Sequence, residues 1–97
     1  MLTREDILQI LRNNKERFAE KYGVTKLGLF GSFARNEATE ESDVDVCVEL
    51  TDVTCDIILD LQEEIMKKTS RPVDIIHVRN RMNTLLKKRI ERDAVYV

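Results

Sequence analysis

The sequence predicts one small α/β (α+β) domain over residues 1–97, in which helices flank a mixed β-sheet in the order α-β-α-β-α-β-α. Three observations support this prediction. The 97 residues fit a single domain with one modest core. Segments with apolar residues at helical spacing alternate with short strand-like segments. A strand, a long helix and a strand in succession also imply a parallel strand pair with a right-handed crossover.

The first helix is predicted over residues 3–22. Thr3 is a favourable N-cap, and Asp6 three residues later gives a pattern close to a capping box. Gly23 stands where a glycine commonly ends a helix. The apolar residues at helical spacing in this segment are Leu8, Leu11, Phe18 and Tyr22.

The first strand is predicted over residues 24–30, and Gly31-Ser32 ends it. A short helix is expected to begin at Ser32. Residues 36–42 are polar and predict a loop.

The second strand is predicted over residues 43–50, because apolar and polar side chains alternate along this segment. One face would lie on the core and the other would be polar. Cys47 belongs to the polar face, but a packing role is the better interpretation for it. The two alternating sets are Val44, Val46, Val48 and Leu50 on one face, and Asp43, Asp45, Cys47 and Glu49 on the other.

The second half of the chain predicts a long helix over residues 54–69 and a third strand over 73–78, which Pro72 opens. A final helix is expected over residues 82–92. The apolar tail 94–97 is expected to pack on the core.

Composition and charge argue against several classes of protein. The net charge is −2 and there is no Trp, so direct nucleic-acid binding, which favours a basic surface and stacking aromatics, is not expected. There is no apolar run long enough for a membrane span and no signal-peptide pattern at the N-terminus, so we predict a cytoplasmic protein. Cys47 and Cys55 are expected to be two unlinked thiols.

Three carboxylates form the candidate catalytic and metal site. Asp43 and Asp45 are two residues apart on a strand, so both would project from the same face. Asp74 is the second residue of the third strand and would lie near them if the two strands are parallel neighbours. Hard oxygen ligands of this kind suit magnesium, and three carboxylates make a two-metal site plausible. For Asp43 and Asp45 the alternative is a polar strand face, or an aspartate that caps the loop behind Ser42. For Asp74 alone it is a strand-edge residue in water.

Gly31 and Ser32 form the candidate phosphate-binding turn. Backbone amides at a helix start bind phosphate, glycine allows close approach, and the serine adds a hydroxyl donor. An ordinary glycine turn with Ser32 as N-cap is the alternative. Together with the carboxylates, this turn predicts nucleotidyl transfer, in which an acceptor hydroxyl attacks the α-phosphorus of a nucleoside triphosphate and pyrophosphate leaves.

These residues resemble the signature of the minimal nucleotidyltransferases, the MNT branch of the DNA polymerase β superfamily. The resemblance rests on two motifs, with support from Val73-Asp74-Ile75 and from the ending at residues 90–96. The motifs are Gly31-Ser32-Phe33-Ala34-Arg35 and Ser42-Asp43-Val44-Asp45-Val46. The family often has glycine after the arginine, where this chain has Asn36, the next-best residue for a left-handed turn.

The resemblance implies a polymerase-β-like nucleotidyltransferase fold and a set of residue roles. Gly31 and Ser32 would bind the triphosphate of ATP, which is the expected substrate. Arg35 and Ser42 complete the predicted nucleotide-binding residues; for Arg35 an ion pair with Glu37 or another loop acid is an equal alternative. The three predicted metal ligands would be Asp43 and Asp45, which bind two Mg²⁺ ions, and Asp74, which completes the site and serves as base.

The resemblance also implies a partner. Many family members are paired with a HEPN-domain protein as toxin and antitoxin, and in some the MNT protein adenylylates the toxin. Two other hypotheses stay open: an antitoxin that acts by binding alone, and a homodimeric small-molecule nucleotidyltransferase.

Among residues outside the motifs, His77 is expected to be a half-buried core histidine. The basic C-terminal segment, with Arg79, Arg81, Lys87, Lys88, Arg89 and Arg92, is better interpreted as a solvated helix face than as a docking surface.

Overall fold

The computed structural model of the protein describes residues 2–52, 54–79 and 81–97. Helices and strands alternate along the chain. In chain order they are α1 (Arg4–Tyr22), β1 (Val24–Phe30), α2 (Gly31–Ala34), β2 (Val44–Leu50), α3 (Cys55–Thr69), β3 (Val73–His77), α4 (Thr84–Asp93) and β4 (Val95–Tyr96).

The strands form a mixed sheet in the order β3-β2-β1-β4. β2 and β3 are parallel neighbours joined through α3, whereas β1 is antiparallel to both β2 and β4. The predicted fold class is therefore confirmed. The predicted element order lacked β4, because the apolar tail was expected only to pack on the core. Its two residues pair with Gly28 and Leu29 of β1, and such a short strand has no periodicity of its own to detect.

The ends of α1 match the sequence signals. Thr3 and Asp6 form a reciprocal capping box, in which each side chain accepts a hydrogen bond from the other residue's backbone amide. The helix ends at Gly23, whose φ of 73° lies in the left-handed region that glycine adopts without strain. The chain therefore turns directly from α1 into β1.

The main hydrophobic core lies between one face of the sheet and the helices α1 and α3. The sheet contributes the apolar set of β2 together with Leu27 and Leu29 of β1, as the alternation predicts. α1 contributes the stripe that its spacing predicts, and α3 contributes Leu61 and Ile65. His77 pairs with Val48 in the β2–β3 ladder and is half-buried, as expected.

The opposite face of the sheet carries the polar set. Asp45 is aligned with Phe30 of β1 and with Asp74 of β3, and Cys47 is aligned with Gly28. Cys47 is fully buried, and burial raises the pKa of its thiol to about 11. Both cysteines are free thiols, as predicted. The carboxylates therefore lie on the face of the sheet away from the main core.

Among the described residues, no helix combines the length and the apolar character that crossing a membrane requires.

The packing of α1 against the sheet predicts a large effect of Phe18→Ala. Phe18 is fully buried, so its truncation should lower the free energy of unfolding by about 3–5 kcal/mol through lost burial and a residual cavity. Leu59→Ala is the matched control, because Leu59 is 58% exposed and should change stability by less than about 0.5 kcal/mol. Urea denaturation followed by circular dichroism measures both. Equal effects of the two substitutions would contradict the assignment of α1 to the core.

Candidate active site

A direct contact between Gly31 and Asp45 organises the site. Gly31 has a φ of 76°, which side chains other than glycine rarely tolerate. A Cβ atom at this position would overlap the Oδ2 atom of Asp45. The turn from β1 into α2 therefore needs glycine for its backbone conformation and for the close approach of the carboxylate.

The helix that follows begins one residue earlier than predicted. α2 starts at Gly31 and its N-cap is Phe30, which makes no side-chain capping hydrogen bond. Ser32 lies inside the first turn, so the alternative that made it the N-cap is wrong. The apolar N-cap leaves the amides at this end of α2 without the side-chain acceptor that Ser, Thr, Asp or Asn would supply.

Asp45 is the half-buried carboxylate of the site. Burial raises its pKa above the ordinary value, and the charges of Asp74 and Asp43 raise it further. Arg35 opposes these effects and lowers the pKa. The negative charge of Asp45 is therefore held in an unfavourable environment.

The register of the parallel strands brings Asp74 beside Asp45. The two residues are direct partners in the β2–β3 ladder, which confirms the expectation that the starts of these strands are adjacent. Asp43 lies one residue before β2, rather than on the strand as predicted, and it is exposed. Within residues 2–52, 54–79 and 81–97, no three His, Cys, Asp or Glu side chains converge into a group that could hold a metal ion unaided.

Arg71 holds the loop that leads into these carboxylates. Its guanidinium donates to the backbone carbonyls of Ser42 and Glu40, and it lies 5.3 Å from the centre of the Phe33 ring in α2. The Ser42 hydroxyl accepts a hydrogen bond of 2.8 Å from the Thr39 amide. This contact engages Ser42, a predicted nucleotide-binding residue, in the structure of the loop.

Asn36 adopts the left-handed conformation expected for it, with a φ of 60°. It follows Arg35, the C-cap of α2, where the chain turns into the loop. Asparagine is tolerated in this region because its short polar side chain can hydrogen-bond locally. The departure from glycine at this position therefore leaves the turn intact.

A cavity of about 550 Å³ opens beside the Gly31–Asp45 contact. It brings together four of the predicted site residues: Gly31, Ser32, Arg35 and Asp45. The remaining residues of its lining are Phe30, Arg89, Arg92 and Asp93. The lining does not include Asp43, Asp74 or Ser42. Asp74 is adjacent to the lining residue Asp45, with which it is paired in the β2–β3 ladder.

Ion pairs engage two of the three arginines around the cavity. Arg35 lies 3.3 Å from a Glu37 carboxylate oxygen and 3.6 Å from an Asp93 oxygen. The alternative of an ion pair for Arg35 is therefore present in the structure. Arg92 donates two hydrogen bonds to Asp93, at 2.9 and 3.1 Å, and these hold the pKa of Asp93 below its ordinary value.

Sequence reasoning missed the contribution of α4 to this cavity. Arg89 and Arg92 were interpreted as part of a solvated basic face, whereas both line the cavity with Asp93. The available signal is their spacing, since residues i, i+3 and i+4 share one face of a helix. The sequence did not indicate where that face would point, because the segment between β3 and α4 carries no strong turn motif.

The geometry matches a family that sequence comparison also finds. A family model described as "Nucleotidyltransferase domain" matches residues 11–97. A Methanocaldococcus jannaschii relative, provisionally named a protein adenylyltransferase, is 40% identical over 100 residues and covers 100% of both chains. The protein adenylyltransferase MntA of Thermococcus cleftensis is 34% identical and covers 100% of this chain and 98% of its own.

Solved structures share the fold. A structure provisionally described as a minimal nucleotidyltransferase gives a TM-score of 0.78 at 26% identity, covering 97% of this chain and 95% of that one. A toxin–antitoxin crystal structure with AMP-PNP gives 0.71 at 21% identity and covers 98% and 72%. A complex of a tri-AMPylated Shewanella oneidensis HEPN toxin with its MNT antitoxin gives 0.60 at 19% identity and covers 96% and 66%.

These likenesses agree with the fold and with the family that the motifs resemble. The sequence-based prediction of a nucleotidyltransferase is confirmed at the level of the family. Since the family pattern extends over residues 11–97, the chain belongs to the nucleotidyltransferase domain family.

Proposed function

We propose that the protein is a Mg²⁺-dependent nucleotidyltransferase that transfers AMP from ATP to a hydroxyl group of a HEPN-family protein toxin and thereby acts as its antitoxin. The contact between the Gly31 backbone and the Asp45 carboxylate at the cavity is the observation that carries this proposal. The names of the relatives support the adenylyl transfer. The AMP-PNP complex and the HEPN complex are properties of those structures, and they motivate the choice of nucleotide and partner.

Gly31 and Ser32 are the proposed triphosphate-binding residues. Because Gly31 has no side chain, a phosphate can approach the main chain of the turn, and the Ser32 hydroxyl can donate to a phosphate oxygen. Both residues line the same cavity as Asp45. In this proposal one bound nucleotide contacts both the phosphate-binding turn and the half-buried carboxylate, and the shared cavity supports it.

The carboxylates fit a magnesium site by their chemistry. None of the ion pairs among the described residues includes Asp43, Asp45 or Asp74, so the negative charge of these three residues has no basic partner in direct contact. Magnesium takes one or two protein carboxylates and completes its shell with substrate phosphates and water, so no preformed cage is needed. When bound, Mg²⁺ would offset this charge and polarise the phosphate that is attacked.

The proposed reaction follows from these positions. The oxygen of the acceptor hydroxyl attacks the α-phosphorus of ATP, and the bond from that phosphorus to the bridging oxygen of the β-phosphate breaks. Pyrophosphate leaves and AMP stays on the acceptor. Asp74 is the proposed base that takes the hydroxyl proton, since it is exposed to an incoming partner and paired in register with Asp45.

Label transfer tests the proposal. The protein, Mg²⁺ and ATP labelled at the α-phosphate are incubated with a HEPN-family protein as the acceptor, and the proteins are separated by electrophoresis. Asp45→Ala and Asp43→Ala are expected to reduce labelling by at least about 100-fold, because each removes a proposed ligand of the Mg²⁺ that would stabilise charge on the reacting phosphate. Asp52→Ala is the matched control, since Asp52 is exposed and outside the site.

The same assay separates the alternatives. No labelling by the wild-type protein, together with a stable complex in gel filtration, would contradict transfer and support an antitoxin that binds only. Labelled product from a small molecule such as an aminoglycoside, without any partner protein, would support the homodimeric transferase. An Asp45→Ala variant that labels the partner as fast as wild type would exclude this site from the reaction.

Removing the charge of Asp45 should stabilise the metal-free protein. Because the folded state raises its pKa, Asp45 binds its proton more tightly when folded, and this contribution to stability is lost as the pH rises through the folded-state pKa. Asp45→Asn is therefore expected to melt at a higher temperature than wild type at pH 7 in EDTA. The difference should shrink as the pH falls towards about 4, near the unfolded-state pKa of Asp.

Thermal denaturation at several pH values measures this difference, with Asp52→Asn as the control. Added Mg²⁺ should raise the melting temperature of the wild type more than that of Asp45→Asn, because it binds beside the charge that the variant lacks. A lower melting temperature of Asp45→Asn at pH 7 in EDTA would contradict the unfavourable environment inferred for this carboxylate.

A further inference from the structure

The last turns of α4 form a wall of the cavity that contains Gly31 and Asp45. Arg89, Arg92 and Asp93 lie at positions i, i+3 and i+4, so they share one face of the helix. Ile90 is buried and fixes the rotation of α4 about its axis. This anchoring explains how a helix with four basic residues presents one defined set of side chains to the cavity.

The three arginines of the cavity differ in whether a carboxylate compensates their positive charge. Asp93 pairs with Arg92 and Arg35, and Arg35 also pairs with Glu37. Arg89 takes part in no ion pair and no side-chain hydrogen bond with the rest of the described chain. Arg89 is an exposed residue, and it lines the same cavity as the phosphate-binding turn proposed above.

We propose that Arg89 binds the β- and γ-phosphates of the nucleoside triphosphate. This inference rests on the proposed function, in which the α-phosphate reacts beside Asp45. The rest of the polyphosphate then needs a cation elsewhere in the cavity. A guanidinium can donate two parallel hydrogen bonds to phosphate oxygens, and Arg89 can do so without giving up a carboxylate partner.

The pairing of the other two arginines makes Arg89 the better candidate for this role. Arg92 already donates two hydrogen bonds to Asp93, and Arg35 is paired with Asp93 and Glu37, so the charge of each is partly compensated and fewer of its donors are free for a phosphate. Asp93 thus forms ion pairs with both Arg92 and Arg35. The Arg89 side chain stays available, and after transfer it would contact the pyrophosphate that leaves.

The test compares binding of two nucleotides by isothermal titration calorimetry with Mg²⁺. The probes are a non-hydrolysable ATP analogue and AMP, which lacks the β- and γ-phosphates. Arg89→Ala is expected to weaken binding of the ATP analogue by about 10–100-fold, as loss of a charged hydrogen-bond donor does, and to leave AMP binding unchanged. Arg89→Lys should recover part of the loss, because it keeps the charge without the planar fork.

Lys88→Ala is the matched control, since Lys88 precedes Arg89 on the same helix, is exposed and lies outside the cavity lining. It should leave both affinities within about twofold of wild type, because it removes one exposed charge that salt screens. In label transfer, Arg89→Ala should raise the KM for ATP and regain most of its rate at saturating ATP. Asp45→Ala should not regain its rate.

Two outcomes would overturn the inference in different ways. If the wild-type protein binds the ATP analogue and transfers label, while Arg89→Ala binds the analogue equally well, the role of Arg89 is excluded and the proposed function stands. If the wild-type protein binds no nucleoside triphosphate with Mg²⁺, the proposed function and the role of Arg89 are both excluded. Equal losses of ATP-analogue and AMP binding in Arg89→Ala would also exclude specific contact with the β- and γ-phosphates.

Discussion

The parallel register of β2 and β3 is the constraint on which the site depends. It places Asp45 directly beside Asp74 on the face of the sheet away from the main core. A shift of one residue in either strand would turn its carboxylate into the core and bring apolar side chains to the cavity. The alternating burial along β2 opposes such a shift, since Val44, Val46 and Val48 are all fully buried. The packing of the core therefore fixes the position of the chemistry.

The clustered negative charges of the site are unfavourable for the stability of the fold. Asp45 is half-buried beside two other acids, and burial and their charges raise its pKa. Placing like charges together is unfavourable without a cation, so the arrangement is better explained by ligand binding than by folding. Gly31 is also constrained by the site, because its left-handed backbone conformation and its contact with Asp45 exclude any larger residue at this position.

Residues far apart in the sequence support this arrangement. Arg71 links the start of β3 to the loop before β2 through backbone carbonyls, and its guanidinium stacks near Phe33 of α2. Three segments that meet at the site are thus connected by one side chain. Arg4 of α1 also donates to the carbonyl of Ala34 at the end of α2. These contacts give the short helix α2, only four residues long, a fixed position against the sheet.

The sequence by itself determined every element up to α4 and the central motif. Each of these patterns lies within a short stretch of sequence, so it can be recognised without the tertiary structure. The patterns are the alternation over β2, the capping box of α1 and the paired signature motifs. The same reasoning found Gly31, Ser32, Arg35 and Asp45, which line one cavity. It also anticipated that Asp74 lies near Asp45, because a strand–helix–strand succession implies parallel neighbours, and the structure makes the two residues register partners.

Only the tertiary structure decided which face of α4 meets the cavity, that the tail forms β4, and that Ser42 and Arg71 hold the loop. Each of these features depends on contacts between residues distant in sequence. Arg89 shows the difference most clearly. Its charge and helical position are evident from the sequence, but its place in the lining of the cavity depends on how α4 packs. Local patterns specify the elements, whereas the packing of apolar faces decides which polar groups meet.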